Sequence, residues 1–128
     1  MVRLYLAAKF TAKDRIKRLR ETIHTNKWGQ VVGTWLDEEK DSSSERTRRR
    51  YAIRDYTEVC GSDILILDTF DESATGGREV EYGIAMAAGK RVWLVGPPRN
   101  IFHAWADRKF KSWGQVMIAL RNKAKRGT

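Results

Sequence analysis

The run Asp63–Asp68 constrains the fold of this chain more than any other segment, because its sequence DILILD places four aliphatic residues in succession. Such a run is typical of a parallel strand that is covered on both faces. Three more segments predict strands: residues 2–7 (VRLYLA), 30–35 (QVVGTW) and 91–95 (RVWLV). A parallel sheet built from these strands requires helices on both of its faces.

Segments with helical signals alternate with these strands. Thr11 and Asp14, and later Ser112 and Gln115, have the spacing of a capping box, in which a side chain accepts a backbone N–H at a helix start. The charged and Ser-rich stretch 37–44 has no hydrophobic period and predicts a loop. The predicted helices are residues 12–26, 44–60 and 77–88, and a last helix from Ser112 with an apolar stripe of Trp113, Val116, Met117 and Leu120.

The alternation of strands and helices predicts an α/β fold: a Rossmann-like (flavodoxin-like), doubly wound parallel sheet of about five strands in a three-layer sandwich. The 128 residues show no internal repeat and no linker, which predicts a single domain over residues 1–128. Ligands of such sheets bind at the carboxyl ends of the strands. The segments expected there are Ala7–Phe10, Asp68–Gly77 and Gly96–His103.

The charge balance favours an anionic partner, since 25 basic against 16 acidic residues give a net charge of +9. Nucleic acid, a phosphorylated small molecule and an anionic membrane all fit this sign. No apolar run approaches the ~20 residues of a membrane span, and the N-terminus lacks the layout of a signal peptide. The single Cys60 cannot form an internal disulfide, so a cytoplasmic location is expected.

Several common chemistries are excluded by their missing motifs. The chain has neither a GxGxxG fingerprint nor a P-loop lysine pattern. His24, His103 and Cys60 do not have the spacing of a zinc site, and no Ser-His-Asp order can be defended. Carboxylate chemistry therefore remains the best-supported option, and neither a metal nor a cofactor is expected.

The segment Ser73–Ala85, SATGGREVEYGIA, combines a Ser/Thr/Gly loop with the start of a helix at the carboxyl end of a strand. Backbone N–H groups at such a helix start form an anion site, and the hydroxyls of Ser73 and Thr75 would add to it. The same residues could equally serve only to cap the helix. Glu81 lies one turn into this helix, where it faces either a pocket or solvent.

Four pieces of the sequence occur together in a recognisable order. They are Leu4–Ala8 (LYLAA), Asp55 eight residues before Asp63, Glu81–Ala85 (EYGIA) followed by Ala88–Val92 (AGKRV), and Ser112–Leu120 (SWGQVMIAL). As an ordered set they resemble the nucleoside 2-deoxyribosyltransferase family, including its relatives that hydrolyse deoxynucleoside 5′-monophosphates. The resemblance extends from about Tyr5 to Leu120, and the ordered set is more specific than any single piece.

The resemblance implies cleavage of the N-glycosidic bond of 2′-deoxynucleosides or their 5′-monophosphates. Glu81 would be the nucleophile that attacks C1′ of the deoxyribose, and Tyr5 would orient its carboxylate. Asp55 would hydrogen-bond the base or the sugar and is a candidate to protonate the leaving base. A covalent deoxyribosyl-enzyme would then be resolved by a second base, as in a transferase, or by water, as in a hydrolase.

One departure from the family bears on the substrate. Six residues before the nucleophile, members that act on free nucleosides carry an Asp and monophosphate hydrolases carry a Ser, whereas this chain has Thr75. A Thr can donate to a phosphate that an Asp would repel, and Arg78 and the basic balance agree, so a 5′-monophosphate is the preferred substrate. The residues expected to bind the substrate or its phosphate are Ser73, Thr75, Gly76, Gly77, Arg78, Ala7, Lys9 and Phe10.

The resemblance also implies partners. Family members are dimers or larger assemblies in which a polar residue of a neighbouring subunit completes the pocket, and Asn100 and His103 are the candidates for this role here. The small-molecule partners would be a deoxynucleoside or deoxynucleotide and a free nucleobase, with no membrane partner.

Two other functions remain open. The first is a non-catalytic nucleotide-binding or sensor protein, since a fold does not establish an activity. The second is a nucleic-acid-binding module, suggested by the net charge and by five Trp residues. This module is the weaker reading, because the Trp residues are not interleaved with basic residues as in a stacking platform.

Overall fold

The computed structural model of the chain describes residues 1–38, 44–72 and 76–127. Within these ranges one sheet is formed, and all of its neighbouring strands are parallel. The strand order is β2-β1-β3-β4-β5, the flavodoxin-like order, so the predicted fold class is confirmed. The strands are β1 Arg3–Ala7, β2 Gln30–Val31, β3 Ile64–Asp68, β4 Arg91–Val95 and β5 Arg108–Phe110.

Helices cover both faces of the sheet. They are α1 Lys13–Thr25, α2 Glu45–Cys60, α3 Gly77–Ala87 and α4 Trp113–Lys125, and short 3-10 turns span Phe10–Ala12, Thr34–Asp37 and Ile101–Trp105. Each predicted helix is present to within a few residues. In the part of the chain that the structure describes, no helix has both the length and the apolarity to cross a bilayer.

Side-chain alternation along the strands assigns each helix to a layer. Asp68 projects from one face of the sheet, where it contacts Arg15 of α1 and Trp113 of α4. Tyr5 has the opposite parity in the register of β1 and β3, and its hydroxyl reaches Glu81 of α3 on the other face. Helix α2 packs against α3 there. The sheet is thus the middle of three layers, with α1 and α4 on one side and α2 and α3 on the other.

The predicted strand over 30–35 is wrong beyond its first two residues. Only Gln30 and Val31 pair with β1, and the chain then leaves the sheet in the turn Thr34–Asp37. The turn buries Trp35, whose indole N–H donates to the Leu6 carbonyl at 2.9 Å. Gly33 permits this close packing, because a Cβ there would lie 3.2 Å from the Tyr5 ring.

Two helix starts were predicted to be capping boxes, and one of them is wrong. Helix α1 has no side-chain cap at Thr11, because the turn Phe10–Ala12 leads directly into the helix. Helix α4 does begin with Ser112, whose hydroxyl accepts the backbone N–H of Gln115 at 3.3 Å. The sequence analysis did not place β5, since its residues are exposed except for Phe110 and give no apolar run.

Candidate active site

A cleft of about 200 Å³ lies at the carboxyl end of β1, next to the point where the strand order reverses. Ligands of doubly wound sheets bind at this position, because the loops diverge there and leave a crevice. Its walls are formed by the residues that follow β1, by the turn after β2, and by residues of α2 and α3. They are Ala8, Lys9, Phe10, Trp35, Glu38, Tyr51, Asp55, Gly77, Arg78 and Glu81.

Tyr5 and Glu81 form the tightest polar contact of the cleft. The Tyr5 hydroxyl donates to the Glu81 carboxylate at an Oη–Oε2 distance of 2.5 Å. The Tyr5 ring is fully buried within β1, so its hydroxyl has a defined position and directs the carboxylate. Burial and the neighbouring Glu81 raise the pKa of the phenol above its ordinary value, so Tyr5 remains a proton donor in this pair.

The surroundings of Glu81 make its ionisation unfavourable. Burial raises the pKa of Glu81 to about 8, and the charges of Asp55 and Glu38 act in the same direction. The hydrogen bond from Tyr5 and the charge of Arg54 oppose the shift, because both favour the ionised form. A carboxyl group whose pKa is displaced this far is typical of a catalytic site.

Asp55 lies on α2 beside Arg54. The Arg54 guanidinium donates to Asp55 Oδ1 from Nη2 at 2.9 Å and from Nε at 3.2 Å. Burial raises the pKa of Asp55, the contact with Arg54 lowers it, and the charges of Glu38 and Glu58 raise it further, with a net upward shift. Asp55 is therefore better suited to hold a proton than an exposed aspartate is.

Aromatic side chains form the apolar part of the cleft. The rings of Phe10 and Trp35 lie with their centroids 6.2 Å apart, and Tyr51 lies on α2 with the Arg54 guanidinium 4.6 Å from its ring centre. Such surfaces suit a flat heterocycle, which stacks on aromatic faces. Trp35, Tyr51, Glu38 and Arg54 were not predicted from the sequence. Tertiary packing alone brings Trp35 and Glu38 to the cleft, whereas Tyr51 lies one helical turn before Asp55 on α2 and Arg54 directly precedes Asp55.

Arg78 lines the same cleft in an unusual state. Its side chain is buried, with 5% of its surface exposed, and its Nη1 donates to the carbonyls of Asp68 and Asp71 at 3.1 and 2.6 Å. Its buried Nε has no hydrogen-bond partner, and no carboxylate of the described residues forms a salt bridge with it. A buried guanidinium with an unpaired edge is a candidate for binding an anionic group of a ligand.

Four of the residues predicted to bind the substrate line the cleft. Lys9, Phe10, Gly77 and Arg78 line the cleft, whereas Ala7 is buried within β1 and does not. Gly76 precedes α3 with φ of +76°, a left-handed conformation that favours glycine. Ser73 and Thr75 lie outside the described residues.

Asn100 and His103 belong to a separate cluster around Glu79. His103 is fully buried, and its Nε2 lies 2.5 Å from Glu79 Oε1 while its Nδ1 accepts the backbone N–H of Arg99 at 2.9 Å. Asn100 donates to the same Glu79 oxygen at 2.6 Å. Neither residue lines the Glu81 cleft of its own chain, so a part in a neighbouring subunit's pocket stays a prediction.

A larger cavity, of about 490 Å³, lies along the outer side of α3 and is mostly apolar. Its walls include Tyr82, Met86, Phe102 and Trp105, and neither Asp55 nor Glu81 lines it. The carboxyl groups of Asp55 and Glu81 therefore lie in the smaller cleft. Among the described residues no group of His, Cys, Asp and Glu side chains is arranged to hold a metal ion.

Comparison with known proteins identifies this fold among solved structures. A 2-deoxyribosyltransferase from the psychrotolerant bacterium Bacillus psychrosaccharolyticus aligns with a TM-score of 0.75 at 18% identity, over 90% of this chain and 90% of that chain. The CMP N-glycosidase BcmB of Clostridium botulinum aligns with a TM-score of 0.61 at 19% identity, over 95% of this chain and 98% of that chain. No protein-family model matches the sequence, and no curated protein matches it. The fold that the sequence resemblance implies is thus confirmed.

We predict that Glu81→Gln stabilises the protein at alkaline pH and not at acidic pH. Because the folded-state pKa of about 8 exceeds the ordinary value of 4.5, folding favours the protonated carboxyl, and this stability is lost as the pH rises from 4.5 through 8. Glutamine never ionises, so the variant should gain on the order of 2 kcal/mol above pH 8 and nothing below pH 4.5. Urea unfolding at pH 4, 7 and 9 measures this difference. The matched control is Glu72→Gln on an exposed side chain, and an equal gain for Glu81→Gln at all three pH values would contradict the prediction.

Proposed function

We propose that this protein cleaves the N-glycosidic bond of nucleoside 5′-monophosphates, with 2′-deoxynucleotides preferred, through a covalent intermediate on Glu81. The Tyr5–Glu81 contact beside Asp55 carries the proposal, because it places an oriented carboxylate and a second acid in one cleft. The shared fold supports it, since one structural neighbour is a 2-deoxyribosyltransferase and the other a CMP N-glycosidase.

The mechanism assigns one step to each group. The Glu81 carboxylate attacks C1′ as the C1′–N bond breaks, and the electron pair of that bond leaves with the base. Asp55 gives a proton to the departing base, while the Tyr5 hydroxyl keeps its hydrogen bond to the glutamate. Water or a second base then attacks C1′ and releases Glu81. Turnover requires an ionised Glu81 and a protonated Asp55, so the pH profile of the rate should have two limbs, and Glu81, with its pKa of about 8, sets one of them.

The preference for a monophosphate depends on Arg78. Nη1 of its guanidinium is fixed by the two carbonyls and its Nε has no partner, so Nε and the neighbouring Nη2 offer the two-donor geometry that would bind a phosphate. Backbone N–H groups at the start of α3 add a second source of positive potential, because Gly77 begins the helix. The CMP N-glycosidase among the neighbours has a nucleoside monophosphate in its name, which agrees with this reading.

The alternative is a nucleotide sensor without catalysis, because such a protein would bind the same ligand at the same site.

CMP carries a 2′-hydroxyl, so ribonucleotides belong in the assay beside deoxynucleotides. Transfer and hydrolysis differ only in what resolves the intermediate, and the presence of a second base in the assay separates them. The cytoplasmic location expected from the sequence stays a prediction.

We also propose that two copies of the chain associate through the outer side of α3. An apolar surface is exposed there, with Val80 63%, Ile101 81% and Trp105 70% exposed. Gly83 lies at its centre, where an added Cβ would meet no atom within 4 Å, so another chain could approach closely. Exposed apolar surfaces of this kind are typical of association sites.

We predict that the purified protein releases free base from nucleoside 5′-monophosphates and that Glu81→Ala lowers the rate at least about a thousandfold. HPLC of each deoxynucleoside, deoxynucleotide and ribonucleotide, with and without a second base, measures this. Mass spectrometry of wild-type protein quenched during turnover should show the mass of the sugar phosphate on the chain, and Glu81→Ala should lack it. Normal nucleotide binding without turnover by the wild type would instead support the sensor.

We predict that Arg78→Lys raises the KM for a monophosphate about tenfold or more and changes the KM for the matching nucleoside less than twofold, because the two-donor edge is lost. Steady-state kinetics with both substrates measures the ratio. Arg99→Lys is the matched control: Arg99 also donates to loop carbonyls after β3, those of Thr69 and Phe70, but does not line the Glu81 cleft. Equal effects of both substitutions on both substrates would assign Arg78 a purely structural part.

We predict that Gly83→Arg halves the mass of the assembly, since a long charged side chain would separate the two apolar surfaces. Size-exclusion chromatography with light scattering measures the mass. Ile118→Arg, on an exposed position of α4, is the control and should leave the mass unchanged. A monomeric wild-type protein would refute the association.

A further inference from the structure

Arg54 contacts more of the charged groups around the cleft than any single catalytic candidate does. Its guanidinium donates to Asp55 Oδ1 at 2.9 and 3.2 Å and to the Glu38 carboxylate. Its Nε lies 3.7 Å from Glu58 Oε1, and its plane lies over the Tyr51 ring. These partners surround a side chain that is 28% exposed, so the guanidinium is held in place from several sides.

These contacts also join α2 to the turn that carries Trp35. Glu58 accepts the backbone N–H of Thr34 at 3.1 Å and its hydroxyl at 3.0 Å, which anchors the first residue of the turn. Glu38 directly follows the last residue of the turn and is bound by Arg54. Glu58 and Arg54 thus connect the two ends of the Trp35 turn to α2, the helix that bears Asp55.

We infer that Arg54 is a positioning residue of the active site, whose guanidinium orients the Asp55 carboxylate and counters the negative charge that Asp55 and Glu38 bring close to Glu81. Without Arg54, the carboxyl groups of Asp55, Glu38 and Glu81 would lie at one small cleft with no cation bound between them. Asp55 would lose the fork that fixes its rotamer, and Glu81 would lose a charge that favours its nucleophilic form.

The charged groups that face Glu81 come from each neighbouring element. The Tyr5 hydroxyl faces it from β1, Asp55 and Arg54 face it from α2, and Glu38 faces it from the end of the Trp35 turn. Lys9 and Arg78 line the same cleft. Of the cations, Arg54 is the one bound directly to the carboxylates that repel a charge on Glu81. Its removal should therefore make Glu81 harder to ionise.

The first test reads Glu81 directly and needs no turnover. Carbon-13 NMR of protein labelled at the glutamate carboxyl groups follows Glu81, with its resonance assigned by its loss in Glu81→Gln. We expect Arg54→Gln to raise the midpoint of the Glu81 titration by about one unit or more and Arg54→Lys to leave it near the wild-type value. The matched control is Arg50→Gln, the same change on the exposed side of α2, and it should shift nothing. An unchanged midpoint in Arg54→Gln would overturn the charge role.

The second test is kinetic and rests on the proposed function. The limb of kcat/KM against pH that lies at the Glu81 midpoint should move up in Arg54→Gln together with the NMR midpoint. In Arg54→Lys we expect kcat to fall about tenfold or more at an unchanged limb, because a lysine keeps the charge and loses the fork. A loss of thermal stability with wild-type kcat and pH profile in the folded protein would overturn the positioning role.

These outcomes separate the two proposals. A wild-type protein without turnover, whose Glu81 midpoint still shifts in Arg54→Gln, would refute the proposed function and retain the charge role. Should Arg54→Gln fail to fold by circular dichroism, Arg54→Met, which keeps the stem over Tyr51, replaces it in the titration.

Discussion

Asp68, buried at the end of β3, joins the central sheet to helices on both of its faces. Its carboxylate accepts from Arg15 of α1 at 2.7 Å and from the Trp113 indole of α4 at 2.7 Å. Its backbone carbonyl accepts from Arg78 of α3, which places the start of that helix against β3. A buried carboxylate left without partners costs roughly 3–5 kcal/mol, so the contacts with Arg15 and Trp113 hold α1 and α4 to this side of the sheet. Through the Arg78 contact, the backbone of the same residue also holds α3, the helix that carries Glu81.

The cleft that holds Glu81 has the opposite energetic character. Glu81, Asp55, Glu38 and Glu58 concentrate negative charge where the strand order reverses, and Arg54 compensates it only in part. Like charges in a partly desolvated cleft reduce stability, and they also displace pKa values towards those that acid–base chemistry needs. Stability is therefore supplied on the α1–α4 face at Asp68, while the α2–α3 face accepts strain at the site. Such a division is expected wherever catalysis requires an ionisable group that folding disfavours.

The likeness to solved structures shows the fold of this protein, and a fold alone does not establish a function. At 18 and 19% identity, the two neighbours share the path of the chain with this protein, but most side chains differ. The Tyr5–Glu81 contact is a property of this chain's own residues, and so is the unpaired edge of Arg78. The proposed activity therefore rests on these side chains, because function depends on the sites that a fold carries.

The sequence by itself determined the alternation of strands and helices, and with it the three-layer fold class, but not β5. The aliphatic run of β3, the helical periods and the glycines after the helices are local signals, and local signals depend only on neighbouring residues. The resemblance of the ordered motifs further singled out Tyr5, Asp55 and Glu81. The Trp35 turn, the Arg54 fork and the separation of His103 from the cleft were decided by tertiary structure alone. Each of them depends on contacts between residues far apart in the chain, such as Trp35 with Leu6 and Glu79 with His103, whose partners local patterns do not specify.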